Sequence, residues 1–375
     1  MKKFLLNILG AGLLMVIPSF CFAQWNPDAV QQPNEENFRA SVIEVIEEKE
    51  VTGYSGETLT LQNLKLVALS GSIKGEEFVF DGIQRQVATS QLYRRGDVVL
   101  VSMRTTNNVP EFYLTDIWRI NSLLYLAILF LLVVVIVGRR RGLRALFSLA
   151  LTFLVIFAFT IPLISKGGNP IIVTLGSAIF IILISMLLLY GWNIKSQAAI
   201  ISIAISIFLA LILSYLFVKI GRLTGFSEEE AMLLTDTFKD QKAFSGLLLA
   251  AFSLGALGIL DDVVLTQMSA VEQLKRTNPH LHPVRIYKRA MRIGIDHIAS
   301  MINTLFLAYA GSAFFLLFLI QNKQPPFNNF FETINNELVA TEIIRSLVGS
   351  VGLILAIPIA TYIASFYYFK YSHKN

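Results

Sequence analysis

Seven long stretches without a charged residue follow one another in the second part of the chain. They cover residues 120–138, 145–165, 170–194, 196–218, 243–260, 298–320 and 346–369. Each is close to the roughly 20 residues that an α-helix needs to cross the hydrocarbon core of a bilayer. Only 15% of the 375 residues are charged, whereas a soluble protein usually carries about 25%. The sequence therefore predicts a polytopic α-helical membrane protein with about seven transmembrane helices, and it argues against a soluble enzyme.

Residues 1–23 have the order of a secretory signal peptide. Lys2 and Lys3 precede an apolar run, and the segment ends with the small residue Ala23. An uncleaved signal anchor is the alternative interpretation. The single cysteine of the chain, Cys21, lies within this segment, so we expect an exported region that folds without disulfide bonds.

Residues 24–119 differ in composition and form the second predicted domain. They hold nine Lys/Arg and fourteen Asp/Glu, a net charge of −5. Short β-type runs alternate with turn residues, and they predict strands near 38–47, 58–69, 76–81, 97–104 and 111–118. Five short strands suit a small barrel or sandwich of OB-like type. The acidic charge repels phosphate and argues against nucleic-acid binding, so we expect a β domain that packs on the membrane part or docks a protein partner.

Residues 120–375 form the predicted transmembrane domain, whose orientation follows from the positive-inside rule. The first predicted span ends at a cluster of arginines, 139–141 and Arg144, and residues 272–292 are also basic. Both segments are therefore predicted to lie in the cytoplasm, the second as a loop with an interfacial helix. The sequence thus predicts a multi-pass protein of the plasma membrane with residues 24–119 extracytoplasmic and the C-terminus cytoplasmic.

Ionisable residues at membrane depth are candidate functional residues because they are costly there. In and after the fifth stretch, Gly255, Gly258, Asp262 and Thr266 follow steps of 3, 4 and 4 and so share one helix face. Small residues allow another helix to approach closely. We therefore expect Asp262 to point into a helix contact, with Asp261 about 100° around the helix.

The sixth span begins with a similar polar face. Asp296, Ser300 and Asn303 follow steps of 4 and 3, with Thr304 beside them. Carboxylate, carboxamide and hydroxyl oxygens suit a hard cation or a proton relay. The two helices are therefore predicted to form a substrate-binding or ion-binding site, without a resident metal or cofactor. The alternative interpretation is an interhelical hydrogen-bond cluster that only orders the bundle.

Glu342 and Arg345 open the seventh span at a spacing of three residues, which allows an ion pair on one helix face. The topology places this pair on the opposite side of the membrane from Asp262. It is either a structural ion pair or part of a gate.

Three motifs in order resemble the YibE/F-like family of multi-pass membrane proteins. They are GALGILDD at 255–262, NTLFLAYAG at 303–311 and ELVATEIIRSLVGSVGLILAIPI at 337–359. The resemblance covers nearly the whole chain after the signal segment. It implies a polytopic plasma-membrane protein of permease type without a settled substrate. It also implies one key aspartate, which is either Asp261 or Asp262.

Two functions remain after this reasoning. The first is a permease for an ion or small solute, which uses carboxylates where the fifth and sixth helices meet. The second is a non-transporting envelope scaffold that binds a partner through its β domain. An enzyme is not expected, because the spans hold no Ser-His pair and no trio of metal ligands. The lipid bilayer is one partner, and further copies of the chain are another that the sequence allows.

Overall fold

The computed structural model describes residues 35–52, 58–84, 92–106, 109–227, 231, 234–235, 238 and 241–371. The predicted signal peptide lies outside these residues. The chain divides into two compact units, and the division falls between Val137 and Gly138. This division lies inside the first long helix, and the predicted domain boundary at 119/120 stays a prediction.

The first unit contains an antiparallel sheet of five strands. They are β1 (Glu35–Thr52), β2 (Thr58–Ala68), β3 (Glu77–Asp81), β4 (Val98–Thr106) and β5 (Val109–Ile117), in the order β3-β2-β1-β4-β5. All five predicted strands are confirmed, because turn residues and β-type runs marked them clearly. The long β1 pairs with both β2 and β4, and its register with β2 shifts twice, between Val42 and Glu44 and between Val45 and Glu47.

Aromatic side chains join the two ends of this sheet. Phe78 on β3 stacks on Phe112 of β5 with ring centroids 4.2 Å apart, and Phe38 of β1 meets both rings edge-on.

The fully buried Gln62 forms hydrogen bonds through both the oxygen and the nitrogen of its carboxamide. It donates to the Glu48 carboxylate at 2.8 Å and to the carbonyl of Tyr93, and it accepts from the amide of Tyr93. A buried polar side chain is tolerated when it is satisfied in this way.

The remaining described residues are mainly helical. The helices are α1 (Ile120–Val155), α2 (Ile161–Ser165), α3 (Pro170–Tyr190), α4 (Ile194–Ile220), α5 (Gln241–Thr277), α6 (Pro283–Ser312), α7 (Phe314–Gln321), α8 (Phe330–Asn335) and α9 (Glu337–Tyr371), with a π-helical turn at Ile156–Thr160. Among the described residues, six helical segments are long and apolar enough to cross a membrane.

The difference between six segments and the seven predicted spans arises in the first one. Ile120–Ser165 is a single stretch of 46 residues, and it contains both the first and the second predicted spans. Helical geometry breaks at Arg139, which has φ 48° and ψ −129°.

The tight hairpin predicted between the third and fourth spans is confirmed. α3 ends at Tyr190 and α4 begins at Ile194. Asn193 caps α4 by accepting from the amide of Ser196 at 2.9 Å, while the Ser196 hydroxyl accepts from the amide of Asn193. This reciprocal capping box satisfies amides that the first helical turn leaves unpaired.

The basic segment 272–292 differs from the predicted loop. α5 continues to Thr277 and α6 begins at Pro283, so only the residues between them form a turn. His282 caps α6, and its Nδ1 accepts from the amide of Val284. The helices extend because Lys and Arg are good helix formers and because the prolines stand at the turn and at the first position of α6.

α4, α5 and α9 form the centre of the helical unit, α3 packs on α5 and α4, and α6 packs on α9 and α5. The buried face of α4 contains a row of small residues beside the buried Ile203 and Ile207, namely Ala198, Ser202, Ser206, Ala210 and Ser214. The three serine hydroxyls each donate to the carbonyl four residues earlier, at 2.7–2.8 Å. Because the helix satisfies its own hydroxyls, this face allows close approach without leaving a polar group unpaired.

Candidate functional site

The predicted small and polar face of α5 exists, but it is exposed. Gly255, Gly258, Asp262 and Thr266 all lie on the accessible side of the helix. A Cβ added at either glycine would meet no atom within 4 Å. The expectation that Asp262 points into a helix contact is therefore wrong. The buried side of α5 carries larger residues, and its small partner surface is supplied by α4.

Asp261 is the carboxylate of this pair that turns toward the protein. Its side chain is partly buried, and its Oδ1 is buried without a hydrogen-bond partner among the described residues. Tyr190, the last residue of α3, interacts electrostatically with Asp261, Asp262 and Arg141. The two aspartates therefore lie near the α3–α4 hairpin, and burial distinguishes Asp261 from Asp262.

The polar candidates of α6 point away from the bundle. α6 packs through Gly294, Ile298 and Leu305, whereas Asp296, Ser300, Asn303 and Thr304 are exposed. Thr304 donates to the carbonyl of Ser300 within its own helix. Among the described residues, no hydrogen bond or ion pair joins these side chains to Asp261, Asp262 or Thr266.

The two exposed polar faces nevertheless lie at similar depth. Gly294 of α6 packs against the side chain of Gln267 of α5, where an added Cβ would lie 2.8 Å from Nε2. Asp262 lies five residues before Gln267, and Ser300 lies six residues after Gly294 on the antiparallel helix. Both are therefore about 8–9 Å from this contact and in the same direction along the bundle.

The α3–α4 hairpin contributes a charged group that the sequence analysis did not identify. Lys195 donates to Ser269 at 2.7 Å and lies 3.3 Å from Glu272, both on α5. Its ammonium also lies 5.2 Å from the centre of the Tyr190 ring. A lysine in the first turn of a helix, between two apolar segments, was the available signal. It was missed because a lysine at a helix end usually faces water.

A second polar group inside the bundle was also missed. Gln267 and Thr361 are fully buried, and the Thr361 hydroxyl lies 3.1 Å from Oε1 of Gln267. Nε2 of Gln267 has no partner among the described residues. Glutamine in the middle of an apolar run was the signal for this group.

The predicted pair at the start of the seventh span is present. On α9, Oε1 of Glu342 lies 3.3 Å from Nη2 of Arg345. The guanidinium carbon lies 5.4 Å from the centre of the Phe252 ring on α5, which is the geometry of a cation–π contact.

These features define an α-helical membrane protein with an N-terminal antiparallel β-sheet and ionisable side chains within its apolar helices. Comparison with known families shows to which family the chain belongs. The profile described as YibE/F-like protein matches residues 126–370. The chain therefore belongs to the YibE/F-like family, as its three motifs indicated. No curated protein and no solved structure matches the chain.

Proposed function

We propose that the protein is a permease for an ion or small solute, and that Asp261 is the carboxylate that handles the transported species. The single observation that carries this proposal is the buried Oδ1 of Asp261, which has no partner among the described residues. A carboxylate left unpaired in a bilayer-spanning helix costs several kcal/mol. Such a group persists where a cation or a proton occupies the site during function.

The surroundings of Asp261 suit proton or cation transfer. Tyr190, at the end of α3, interacts electrostatically with Asp261. Lys195 is held by Glu272, which lies about 16 Å further along α5, so this cation is compensated by another carboxylate and leaves Asp261 available to a cation. Asp262 is the next residue and is exposed, so it offers a neighbouring carboxylate without the burial of Asp261.

We further propose that the chain crosses the plasma membrane seven times. Ile120–Ser165 has 46 residues, and a straight helix of that size would be about 69 Å long, more than twice a hydrocarbon core of about 30 Å. The break at Arg139 lies among four arginines, where a turn in the cytoplasm satisfies the positive-inside rule. The β-sheet unit is then extracytoplasmic, and its strand order with joined ends supports an OB-like barrel.

A non-transporting scaffold is the second candidate, and the exposed polar residues favour it. Asp262, Thr266, Asp296 and Asn303 face outward from this chain. Another protein or a second copy that covered them would remove polar groups from lipid. In this case the outward face is the functional surface, and Asp261 only contributes to its stability. Neither candidate is an enzyme, and the acidic β unit would bind its partner protein in both.

Asp261 and Asp262 provide a matched pair of variants for the test. We expect Asp261→Asn to reduce flux of the transported cation or proton by about tenfold or more, with an unchanged or higher melting temperature. The melting temperature rises because a carboxamide is cheaper to bury than an unpaired carboxylate. Asp262→Asn is expected to retain at least about half of the flux, since the side chain is exposed.

The measurement uses the purified full-length protein in liposomes loaded with dyes for H⁺, Na⁺ or K⁺, under an imposed gradient of each ion. Protein-free liposomes give the background. Flux at background level for the unmodified protein under every gradient would favour the scaffold. Equal flux in the Asp261→Asn variant and the unmodified protein would remove Asp261 from the mechanism.

A further inference from the structure

The first turns of α6 carry a row of positively charged residues on a single face. Counted from the first member, the others follow after three, four and seven residues, which places all of them together on an α-helix. The row consists of Arg285, Lys288, Arg289 and Arg292, and all four are exposed. We call this row the cationic stripe.

The cationic stripe lies on the side of α6 that faces away from the bundle. α6 packs on its neighbours through Ile286, Ala290 and Gly294, which are buried. At 100° per residue, the centre of this packed face is roughly 150° around the helix from the centre of the stripe. The packing of α6 therefore leaves the stripe uncovered by the described residues.

The four side chains of the stripe make no hydrogen bond or ion pair with any described residue. The other two cations of the basic segment 272–292 are engaged. Lys275 is 8% exposed and donates to the carbonyl of Pro279 at 2.6 Å, and Arg276 lies 2.7 Å from Glu272. Asp296 follows one turn after Arg292 on the same face, so this face keeps a net positive charge.

Contacts with α5 place one end of the stripe level with the α3–α4 hairpin. Gly294 of α6 packs on Gln267 of α5. Because the two helices run antiparallel, Arg292 lies at the level of Ser269. Lys195 of the hairpin donates to the hydroxyl of the same Ser269 at 2.7 Å.

This hairpin carries a residue that is typical of the lipid headgroup level. Trp192 is 66% exposed, and exposed tryptophan is enriched where membrane proteins meet the headgroups. Arg292 therefore lies near the headgroups, and Arg285 lies about 10 Å further out along α6. Because arginine and lysine side chains are long, their charges can bend toward the phosphates from these positions.

Exposed apolar side chains flank the end of the stripe that is nearest to the apolar part of α6. Ile293 and Ile295 are 45% and 57% exposed, and they lie on either side of Arg292 on the helix surface. A phospholipid matches both features, because its phosphate pairs with the cations and its acyl chains cover the isoleucines. An acidic protein or a free phosphate matches only the charges.

We propose that the cationic stripe binds the phosphate groups of anionic phospholipids in the leaflet at this end of α6. Clusters of four or more basic residues next to a membrane-spanning helix attract anionic headgroups. The proposal is independent of the permease function, because none of the four residues belongs to the Asp261 group. It holds equally for a scaffold.

Four cations of the β-sheet unit provide a matched control, because they are exposed but do not share one helix face. The control variant replaces each of them by glutamine, at Lys49, Lys74, Arg94 and Arg95. The stripe variant combines Arg285→Gln, Lys288→Gln, Arg289→Gln and Arg292→Gln. Both variants remove four positive charges from the chain, so they differ only in where the charge is lost.

The experiment is native mass spectrometry of the full-length protein, titrated in detergent with phosphatidylglycerol or with phosphatidylcholine of the same acyl chains. We expect the unmodified protein to bind phosphatidylglycerol about fivefold or more tighter than phosphatidylcholine. The control variant should stay within about twofold of the unmodified protein. The stripe variant should bind phosphatidylglycerol about fivefold more weakly, with binding of phosphatidylcholine unchanged. The arginines at 139–141 and 144 are intact in all three proteins and account for the anionic lipid that still binds.

The proposal is overturned if the unmodified protein binds the two lipids equally, or if the stripe and control variants bind phosphatidylglycerol equally. Displacement of phosphatidylglycerol by equimolar sodium phosphate would assign the stripe to a free anion and would also contradict the proposal. Melting temperatures of all proteins are measured alongside. Should the stripe variant unfold, Lys288→Gln with Arg289→Gln replaces it, compared with Lys49→Gln with Lys74→Gln, and a loss of about twofold or more is then expected.

Discussion

Gly294 is the position where one added methyl group should most clearly destabilise the helical unit. It lies on α6 where that helix crosses α5 and α9, and an added Cβ would lie 2.6 Å from Cγ2 of Ile357 and 2.8 Å from Nε2 of Gln267. Carbon atoms in ordinary contact are about 3.5–4.0 Å apart, so Ile357 would have to move by about 1 Å. Both neighbours are fully buried, so a shift of either has to be accommodated by the packed residues around it.

Gly294→Ala should therefore lower the free energy of unfolding by about 2 kcal/mol. Overpacking of a tight contact costs about 1–3 kcal/mol, with the upper part of that range expected here. The better helix propensity of alanine returns about 1 kcal/mol. The free energy is measured by denaturation in mixed micelles, followed by far-UV circular dichroism.

Gly311→Ala is the matched control on the same helix. A Cβ at Gly311 would meet nothing within 4 Å, so only the propensity gain remains, and stability should rise by up to about 1 kcal/mol. The reasoning is refuted if Gly294→Ala is as stable as the unmodified protein or as Gly311→Ala. Such a result would mean that α6 is not packed tightly against α5 and α9.

Two further substitutions test polar contacts between helices in the same denaturation assay. Glu337, at the start of α9, accepts hydrogen bonds from the backbone at 224–225, so Glu337→Ala should lower the unfolding free energy by about 2 kcal/mol; no loss would show that these bonds contribute nothing. Glu272→Gln should also cost about 2 kcal/mol, because it leaves the Lys195 charge without its carboxylate in a largely buried position. Its control is Arg276→Gln, which removes an exposed partner of the same carboxylate and should change stability by less than about 0.5 kcal/mol. Equal effects of the two would contradict the importance of the Lys195 contact.

The elements of this fold could largely be predicted from the sequence. Apolar runs and turn residues located the five strands, the hairpin at 191–193 and most of the long helices. The helices could be predicted because the backbone within lipid must satisfy its own hydrogen bonds, which an α-helix does. The strands could be predicted because strand and turn residues alternate over short stretches of the sequence. The number of crossings between residues 120 and 165 depends on the backbone at Arg139, which residue types do not reveal.

The direction of the polar faces could not be predicted in the same way. Helical spacing identified which residues share a face with Asp262, but not whether that face meets a neighbour. We assumed that Gly255 and Gly258 create the close approach. The small residues are instead on α4, where Ser202 and Ser206 bond their own backbone, so α5 can pack through larger side chains. Asp261 became the inward carboxylate for this reason.

The position of Asp261 along its helix limits the mechanism of a permease. The uncharged part of α5, residues 243–260, is about 27 Å long, nearly the thickness of the hydrocarbon core. Asp261 therefore lies at one edge of the core and not at its centre. At the edge a carboxylate is less costly and water is near. Asp261 is therefore suited to take up or release a cation at this edge, and not to hold it half-way across the bilayer.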